Sequence, residues 1–410
     1  MDRFESLMVV CMSTPLASGP DAPYQHGNMG INLNAIGGSG VGKSARIREI
    51  GKALGLNVYS IFTATKTPEH IGGFPVMTPR GFTLECAMPQ IRAAINDERA
   101  IIFLDEISSA PRAVQAAILS FLNERTVGEY TLPPGIRLVL AMNPPDIAAN
   151  GRDLEVPLAN RVLHFQYETP ALNQWKEYMM GTYDPGISKI HDSDELVRLN
   201  WRAHYVNVLG TTEGYLVAAG GKYKEKNEAG EEVERSKLYD QPEADSPRAS
   251  KAWPSHRTWS WAVNGVTTAR CLGMGITVQT DIVEGLVGKG LAAEWTAYAK
   301  KVNLPHPLDV LSGKWQIPKQ LDVVRTVLSS CAVYVAQEKN AELKAQLGTA
   351  CWALLHTAAT AGYADLSVRP AGTLLHAGLD LASPVEAVRD AASKMLELLN
   401  DKDHTKYIPR

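Results

Sequence analysis

The apolar run Ile31–Ile36 leads straight into Gly37-Gly38-Ser39-Gly40-Val41-Gly42-Lys43-Ser44, and a helical pattern begins at Ser44. These eight residues satisfy G-x-x-x-x-G-K-[ST] at every fixed position, in the strand–loop–helix setting the motif requires. Glycines let the backbone curl until successive N–H groups converge on phosphate oxygens, and the helix N-terminus adds positive potential. Gly37, Gly38, Ser39, Gly40, Val41 and Gly42 are therefore expected to cradle a nucleotide. Lys43 would reach its β- and γ-phosphates, and the Ser44 hydroxyl would ligate Mg²⁺. A second stretch, Gly285-Leu286-Val287-Gly288-Lys289-Gly290, lacks both the spacing and the hydroxyl and reads as a helix turn.

Further apolar runs, Asn57–Phe62, Ala100–Leu104 and Ile136–Met142, read as buried strands. Helical patterns lie between them at Ser44–Leu54, Met88–Asn96 and Pro111–Glu124. In the last, Val114, Ile118, Phe121 and Leu122 share one face, and Pro111 suits a first helical position. Strands alternating with helices predict an α/β fold with a parallel sheet covered on both faces. Beyond residue 250 the patterns are helical: Arg257–Leu272, Thr280–Lys300, Lys319–Gln337, Ala341–Ala361 and Pro384–Leu399. Residues 221–240 carry so many charges that a solvated linker or mobile insert is expected there. The resulting division is a core over 1–165, a linker or insert over 166–250 and an all-α domain over 251–410.

The strand Ala100-Ile101-Ile102-Phe103-Leu104 ends in Asp105-Glu106. By itself such an ending is most often a strand cap. Downstream of a phosphate loop, Asp105 is expected to hold Mg²⁺ through water, and Glu106 to polarise the water that attacks the γ-phosphate. The next strand ends in Asn143-Pro144-Pro145. Asn before Pro is a common turn former, but at this place Asn143 could donate to the γ-phosphate or to the attacking water.

Composition narrows the setting. Of 410 residues 45% are hydrophobic and 21% charged, with 41 Lys and Arg against 44 Asp and Glu, a net charge of −3. No chain-wide basic field exists to hold nucleic acid non-specifically. Five scattered cysteines, none in C-x-x-C spacing, argue against a disulfide framework or a zinc site. No apolar run is long enough to span a bilayer and the first residues do not resemble a signal peptide, so a soluble cytoplasmic protein is expected.

Phosphate loop, acid-pair strand and Asn-ended strand, followed by a helical domain, resemble the AAA+ ATPases. Pro68-Glu69-His70-Ile71-Gly72-Gly73, Gly81-Phe82-Thr83, Leu104-Asp105-Glu106-Ile107 with Ala110-Pro111, and Gln115-Ala116-Ala117-Ile118-Leu119 look like the MoxR branch, within the helix-2-insert clade. Val139-Leu140-Ala141-Met142-Asn143-Pro144 and Leu158-Ala159-Asn160-Arg161-Val162 continue the likeness. It covers about residues 30–165.

The resemblance implies a P-loop core with a five-stranded parallel sheet and an all-α C-terminal lid, assembled as a ring, usually hexameric, with ATP and Mg²⁺ at each subunit boundary. Arg161 stands where the family places an arginine that enters the neighbour's site, with Arg152 as the competitor; Arg-Val here departs from the family's usual Arg-Phe. Arg257, in the first turn of a helix that Ser255 can cap, matches a lid arginine contacting the chain's own γ-phosphate, with Arg248 as the alternative. Two hairpins, Phe74–Met77 with Phe82–Glu85 and Thr126–Thr131, would face the ring's pore or its partner; ordinary surface hairpins are the alternative. The implied work is remodelling of a protein client, with a separate von Willebrand factor A domain protein as partner. A nucleic-acid motor is the second reading, disfavoured by charge, and a non-hydrolysing ATP-gated scaffold the third.

Overall fold

Each apolar run is followed by a segment long enough to return the chain across the sheet, so that successive runs can lie parallel. The computed structural model describes residues 1–400 other than 26, 80, 87, 145, 146, 148–151, 188, 189, 227–229 and 303. Arg80 of the first hairpin's turn and Pro145 lie outside the described residues.

In chain order the elements begin with α1 (Arg3–Ser13), β1 (Leu33–Ile36), α2 (Lys43–Ala53), β2 (Asn57–Phe62) and α3 (Pro68–Gly72). The hairpin β3 (Phe74–Thr78) and β4 (Gly81–Glu85) follows, then α4 (Pro89–Asp97), β5 (Ala100–Asp105) and α5 (Arg112–Glu124). Next come a short hairpin, β6 (Thr126–Val127) and β7 (Tyr130–Thr131), then β8 (Ile136–Met142), α6 (Val156–Ala159), β9 (Leu163–Gln166), α7 (Leu172–Met179) and α8 (Ser193–Arg198). The rest comprises α9 (Trp201–Val217), the hairpin β10 (Lys222–Lys226) and β11 (Glu232–Ser236), α10 (His256–Cys271), α11 (Ile276–Val287) and α12 (Lys289–Val302). The chain ends with α13 (Pro307–Leu311), α14 (Leu321–Ala336), α15 (Ala341–Ala358), α16 (Ala364–His376) and α17 (Glu386–Asn400).

The chain divides into two compact units. One is Met1–Leu199 with Lys222–Glu294, the other Asn200–Gly221 with the chain from Trp295 onward. In the first, five parallel strands lie in the order β2-β5-β8-β1-β9. Every residue of β8 is buried. On one face Ala100, Ile102 and Leu104 of β5 and Ile136, Leu138 and Leu140 of β8 pack with Ile91 of α4 and Val114, Ile118 and Phe121 of α5. Burying each of the larger side chains contributes about 1.5–3 kcal/mol before entropy is counted.

The unit boundaries differ from the expected divisions at 165 and 250, because α10 and α11 group with the sheet. The N-terminal helix α1 buries Phe4 through Ser13, as a helix that is mostly apolar on all sides must. It is tied to α11 by a two-point pairing of Arg3 with Asp281, whose Nε–Oδ2 distance is 2.6 Å. Asn264 of α10 donates to the carbonyls of Pro15 and Ala17, each at 2.9 Å.

Three local expectations are corrected. The charged stretch 221–240 is not a structureless linker over its described part: β10 and β11 form an antiparallel hairpin. Its ion pairs include Lys222–Glu234 at 2.7 Å and Arg235–Glu225 at 3.1 Å. The helix expected over Thr280–Lys300 is two helices, broken at Gly288, whose φ of 100° is left-handed. The Gly285–Gly290 stretch is accordingly the joint between α11 and α12. Gly285 serves close packing: a Cβ there would lie 2.5 Å from the His164 carbonyl oxygen of β9.

The second unit is helical. Val327, Leu328, Cys331 and Val335 of α14 pack with Cys351, Trp352 and Leu355 of α15, Val368 and Leu374 of α16, and Val388, Ala392 and Met395 of α17. The Trp352 indole N–H donates to the Leu379 carbonyl at 2.8 Å, so the ring is buried without an unpaired donor. The α15 segment ends earlier than Ala361: a wide turn over Ala359–Tyr363 holds Gly362 at φ 98°. Among the described residues no helix is long and apolar enough to cross a membrane.

Gly285→Ala should lower stability by about 1–3 kcal/mol, since a backbone oxygen must move to admit the methyl group. Gly290→Ala, with nothing within 4 Å of the new Cβ, should stay within about 0.5 kcal/mol of the parent. Urea midpoints of the two variants check this; equal midpoints would show that α11 does not depend on the close approach to β9.

Candidate functional site

Parallel strands bring their C-terminal ends to one edge of the sheet, and the pairing of Ile36 with Met142 sets Gly37 beside Asn143. Gly37 has no room for a side chain, because a Cβ would sit 2.7 Å from the Tyr167 carbonyl oxygen. Gly42 caps α2 at φ 87° and offers no side-chain acceptor to the first N–H groups of that helix. Those donors are left to the loop and to whatever it holds.

Lys43 folds back over the loop. Its Nζ donates to the carbonyls of Gly37 and Gly38, each at 2.7 Å, and to Asn143 Oδ1 at 2.8 Å. Burial pushes its pKa below the usual lysine value, while the nearby carboxylates of Glu106 and Asp105 oppose that shift. The Ser44 hydroxyl donates to Asp105 Oδ2 at 2.7 Å. At the end of β2, Thr63 donates to the Asp105 carbonyl at 2.8 Å, fixing the adjacent strand end.

Glu106 follows β5 at φ 61°, a left-handed conformation that L residues other than Asn and Asp seldom adopt and that clusters at functional sites. Its Oε1 accepts from Asn143 Nδ2 at 2.7 Å and from the Ser109 hydroxyl at 3.2 Å. Asn143 thus bridges the Lys43 ammonium and the Glu106 carboxylate with its two amide atoms.

The arginines lie elsewhere. Arg161 and Arg257 line one cavity of about 320 Å³ together with Asn160, Tyr239, Trp253 and His256. No residue from Gly37 to Ser44 lines it. Burial lowers the pKa of both guanidiniums, and Arg257 lowers that of Arg161 further. Arg161 is held by the Pro157 carbonyl at 2.7 Å and Asn123 Oδ1 at 3.3 Å. Ser255 caps α10 as expected, accepting from the Thr258 N–H at 3.2 Å. Arg248 is paired with Asp240 at 2.6 Å and with Glu225 of β10 at 3.7 Å, and Arg152 is exposed.

The sequence reading missed a charged cluster behind the loop. Arg46, one turn into α2, pairs with Glu5 at 2.7 Å and with Asp2. Tyr183 donates to the same Glu5 oxygen, and the Arg46 guanidinium lies 5.4 Å from the Tyr183 ring centroid. Burial alone would lower the Arg46 pKa, but Glu5 and Asp2 outweigh it and hold the pKa above the usual arginine value. A signal was present: Asp2 and Glu5 form a capping box just ahead of an apolar run. Their shared partner, 44 residues from Asp2 and 41 from Glu5, was not legible.

The larger cavity, about 750 Å³ and lined by Asp97, Asp192, Asp194 and Glu195 among others, contains none of the motif residues. Among the described residues no group of three or more His, Cys, Asp or Glu is placed to hold a metal ion.

Residues 33–162 match the family described as "AAA domain (dynein-related subfamily)". No curated protein matches the chain. Among the solved structures that do is a "putative ATPase" from Cytophaga hutchinsonii, 15% identical, covering 68% of this chain and 78% of that one with a TM-score of 0.38. With the parallel sheet and the helical second unit, the matched segment makes the fold class a P-loop AAA+ α/β core with a helical C-terminal region.

Arg46→Met leaves the buried Glu5 carboxylate without its cation and should cost about 3–5 kcal/mol. Arg46→Met combined with Glu5→Leu should recover most of that loss. Guanidinium unfolding of both variants and the parent checks the pairing; additive losses would show that the two side chains are not coupled.

Proposed function

We propose that the phosphate loop, the acid pair and Asn143 hydrolyse ATP to ADP and phosphate in a ring of identical subunits, as in the MoxR branch. One observation carries this reading: the hydrogen-bond chain in which Lys43 and Glu106 share Asn143 while Ser44 meets Asp105. Phosphate-binding, metal-binding and water-activating groups then stand within a few bonds of each other.

In this reading the loop N–H groups and Lys43 bind the β- and γ-phosphates. Ser44 Oγ and the Asp105 carboxylate are hard oxygen donors suited to Mg²⁺, which when bound would neutralise charge building between those phosphates. Glu106, freed from Asn143 by the γ-phosphate, accepts a proton from the attacking water. Asn143 keeps its donor for the γ-phosphate or for that water. Arg161 and Arg257 share a cavity without phosphate-loop residues. We assign Arg161 to the phosphate of an adjacent copy and Arg257 to the γ-phosphate of its own chain.

The ring would turn hydrolysis into work on a protein client, with a von Willebrand factor A domain protein as a separate partner. The hairpins β3–β4 and β6–β7 are the assigned contacts. Val76, Met77, Phe82 and Leu84 are exposed on the first, and Tyr130 on the second.

Lys43→Ala should abolish ATP binding by calorimetry, and retained affinity would remove the loop from the site. Glu106→Gln should bind ATP as the parent does while phosphate release falls about 10²- to 10⁴-fold, the usual contribution of a general base; normal turnover would remove Glu106 from that role. Arg161→Ala alone should lose about 10³- to 10⁵-fold. Mixing Arg161→Ala with Glu106→Gln subunits should recover part of the activity, because some boundaries then pair an intact Glu106 with an intact Arg161. No recovery would mean that Arg161 does not act between chains.

A further inference from the structure

A cavity of about 490 Å³ opens directly off the phosphate loop. Gly40, Val41, Gly42, Ala45 and Arg46 form one side, and Leu172, Trp175, Tyr178 and Met179 of α7 form another. Its volume falls in the roughly 300–1,000 Å³ range of small-molecule sites. Every wall residue from Tyr167 onward lies outside the matched segment 33–162.

The wall is unusual for a surface helix. No residue of α7 is buried, yet Leu172 is 75%, Trp175 56% and Met179 64% exposed. These three stand at i, i+3 and i+7, with Tyr178 beside them, so the apolar stripe faces the cavity. Contiguous apolar surface of this kind marks a binding site. Its occupant is defined by the loop on the opposite side: a molecule whose phosphates lie at Lys43 extends its other end towards α7.

The strap carrying this wall is pinned at two points to one charged cluster. Gln174 donates to Asp2 at 3.2 Å, and Tyr183 donates to Glu5. Asp2 and Glu5 in turn hold Arg46 on the phosphate-loop helix. Trp175, Tyr178 and Met179 lie between the two pins. Arg46, Gln174 and Tyr183 thus make contacts within the protein, Tyr167, Thr169 and Tyr178 add only hydroxyls to the lining, and among the described residues no carboxylate lines the cavity.

We infer that α7 is the nucleoside-binding wall of this chain, with Trp175 and Tyr178 holding a purine ring by stacking. Recognition is by ring face. Among the described residues the lining offers no carboxylate to accept from the N1–H and amino group of guanine, and its one side-chain amide, Gln174, already donates to Asp2. The site then takes both purine triphosphates, with ATP and GTP affinities within about tenfold of each other. This rests on the reading of Gly37–Ser44 as a nucleoside triphosphate site.

The test is calorimetric titration of the full-length parent, Trp175→Ala, Trp175→Phe and Lys43→Ala with ATP, GTP and inorganic tripolyphosphate, each with Mg²⁺. Because Trp175 is largely exposed, its loss should leave the fold intact, and tripolyphosphate binding reports that directly. Trp175→Ala should weaken ATP and GTP alike by roughly 5- to 150-fold, the span that stacking one base supplies. It should leave tripolyphosphate unchanged, and Trp175→Phe should restore most of the loss. Unchanged ATP affinity in Trp175→Ala, with tripolyphosphate still bound, overturns the stacking wall but keeps the phosphate loop. A preference above a hundredfold for either purine overturns recognition by ring face. A parent that binds neither ATP nor tripolyphosphate overturns the phosphate-loop reading and this inference with it.

Discussion

The ammonium group of Lys43 is the point around which the first unit is arranged. It touches two carbonyls of its own loop and the amide oxygen of Asn143. That arrangement requires β1 and β8 to be neighbours in parallel register, which in turn requires both strands to be buried in mid-sheet. A cation in this place is destabilised by desolvation, and Asp105 and Glu106 compensate through space. The strand order β5-β8-β1 is what brings those carboxylates close enough to do so.

The same helix that starts at Lys43 ties the loop to distant parts of the chain. Arg46 binds α1 through Asp2 and Glu5, and the same two carboxylates hold the segment that carries α7. Burying so many charged groups is favourable only when each finds a partner. A displacement of α7 would disturb α1 and α2 together, since all three share one set of charges. Elsewhere in the same unit, α10 brings Arg257 to the cavity of Arg161 through the cap at Ser255, whose hydroxyl also donates to Asn160 at 2.9 Å.

Much of this was legible along the chain. Asn57–Phe62 and Ile136–Met142 form strands with the bounds their apolar runs suggest, and the two expected hairpins form as β3–β4 and β6–β7. The failures have physical causes. Charge density at 221–240 suggested a solvated linker or mobile insert, yet opposite charges placed across two strands, Lys222 near Glu234 and Lys224 near Glu232, suit a solvent-exposed hairpin equally well. Gly285 and Gly288 sit within one helical pattern but answer different demands, close packing on β9 and a left-handed break. Periodicity alone does not distinguish them.

What the sequence determined by itself is whatever neighbouring residues settle among themselves. The glycine positions of the loop, the Lys43-Ser44 start of α2 and the acid pair ending an apolar strand depend on φ preferences and hydrophobic runs, both local properties. Tertiary structure alone decided which distant groups meet: Arg46 with Glu5, Arg161 with Arg257, and the apolar stripe of α7 with the phosphate loop. Those meetings follow from how helices pack on the two faces of the sheet. Packing selects partners by shape and buried area across long separations, and no local pattern records that choice.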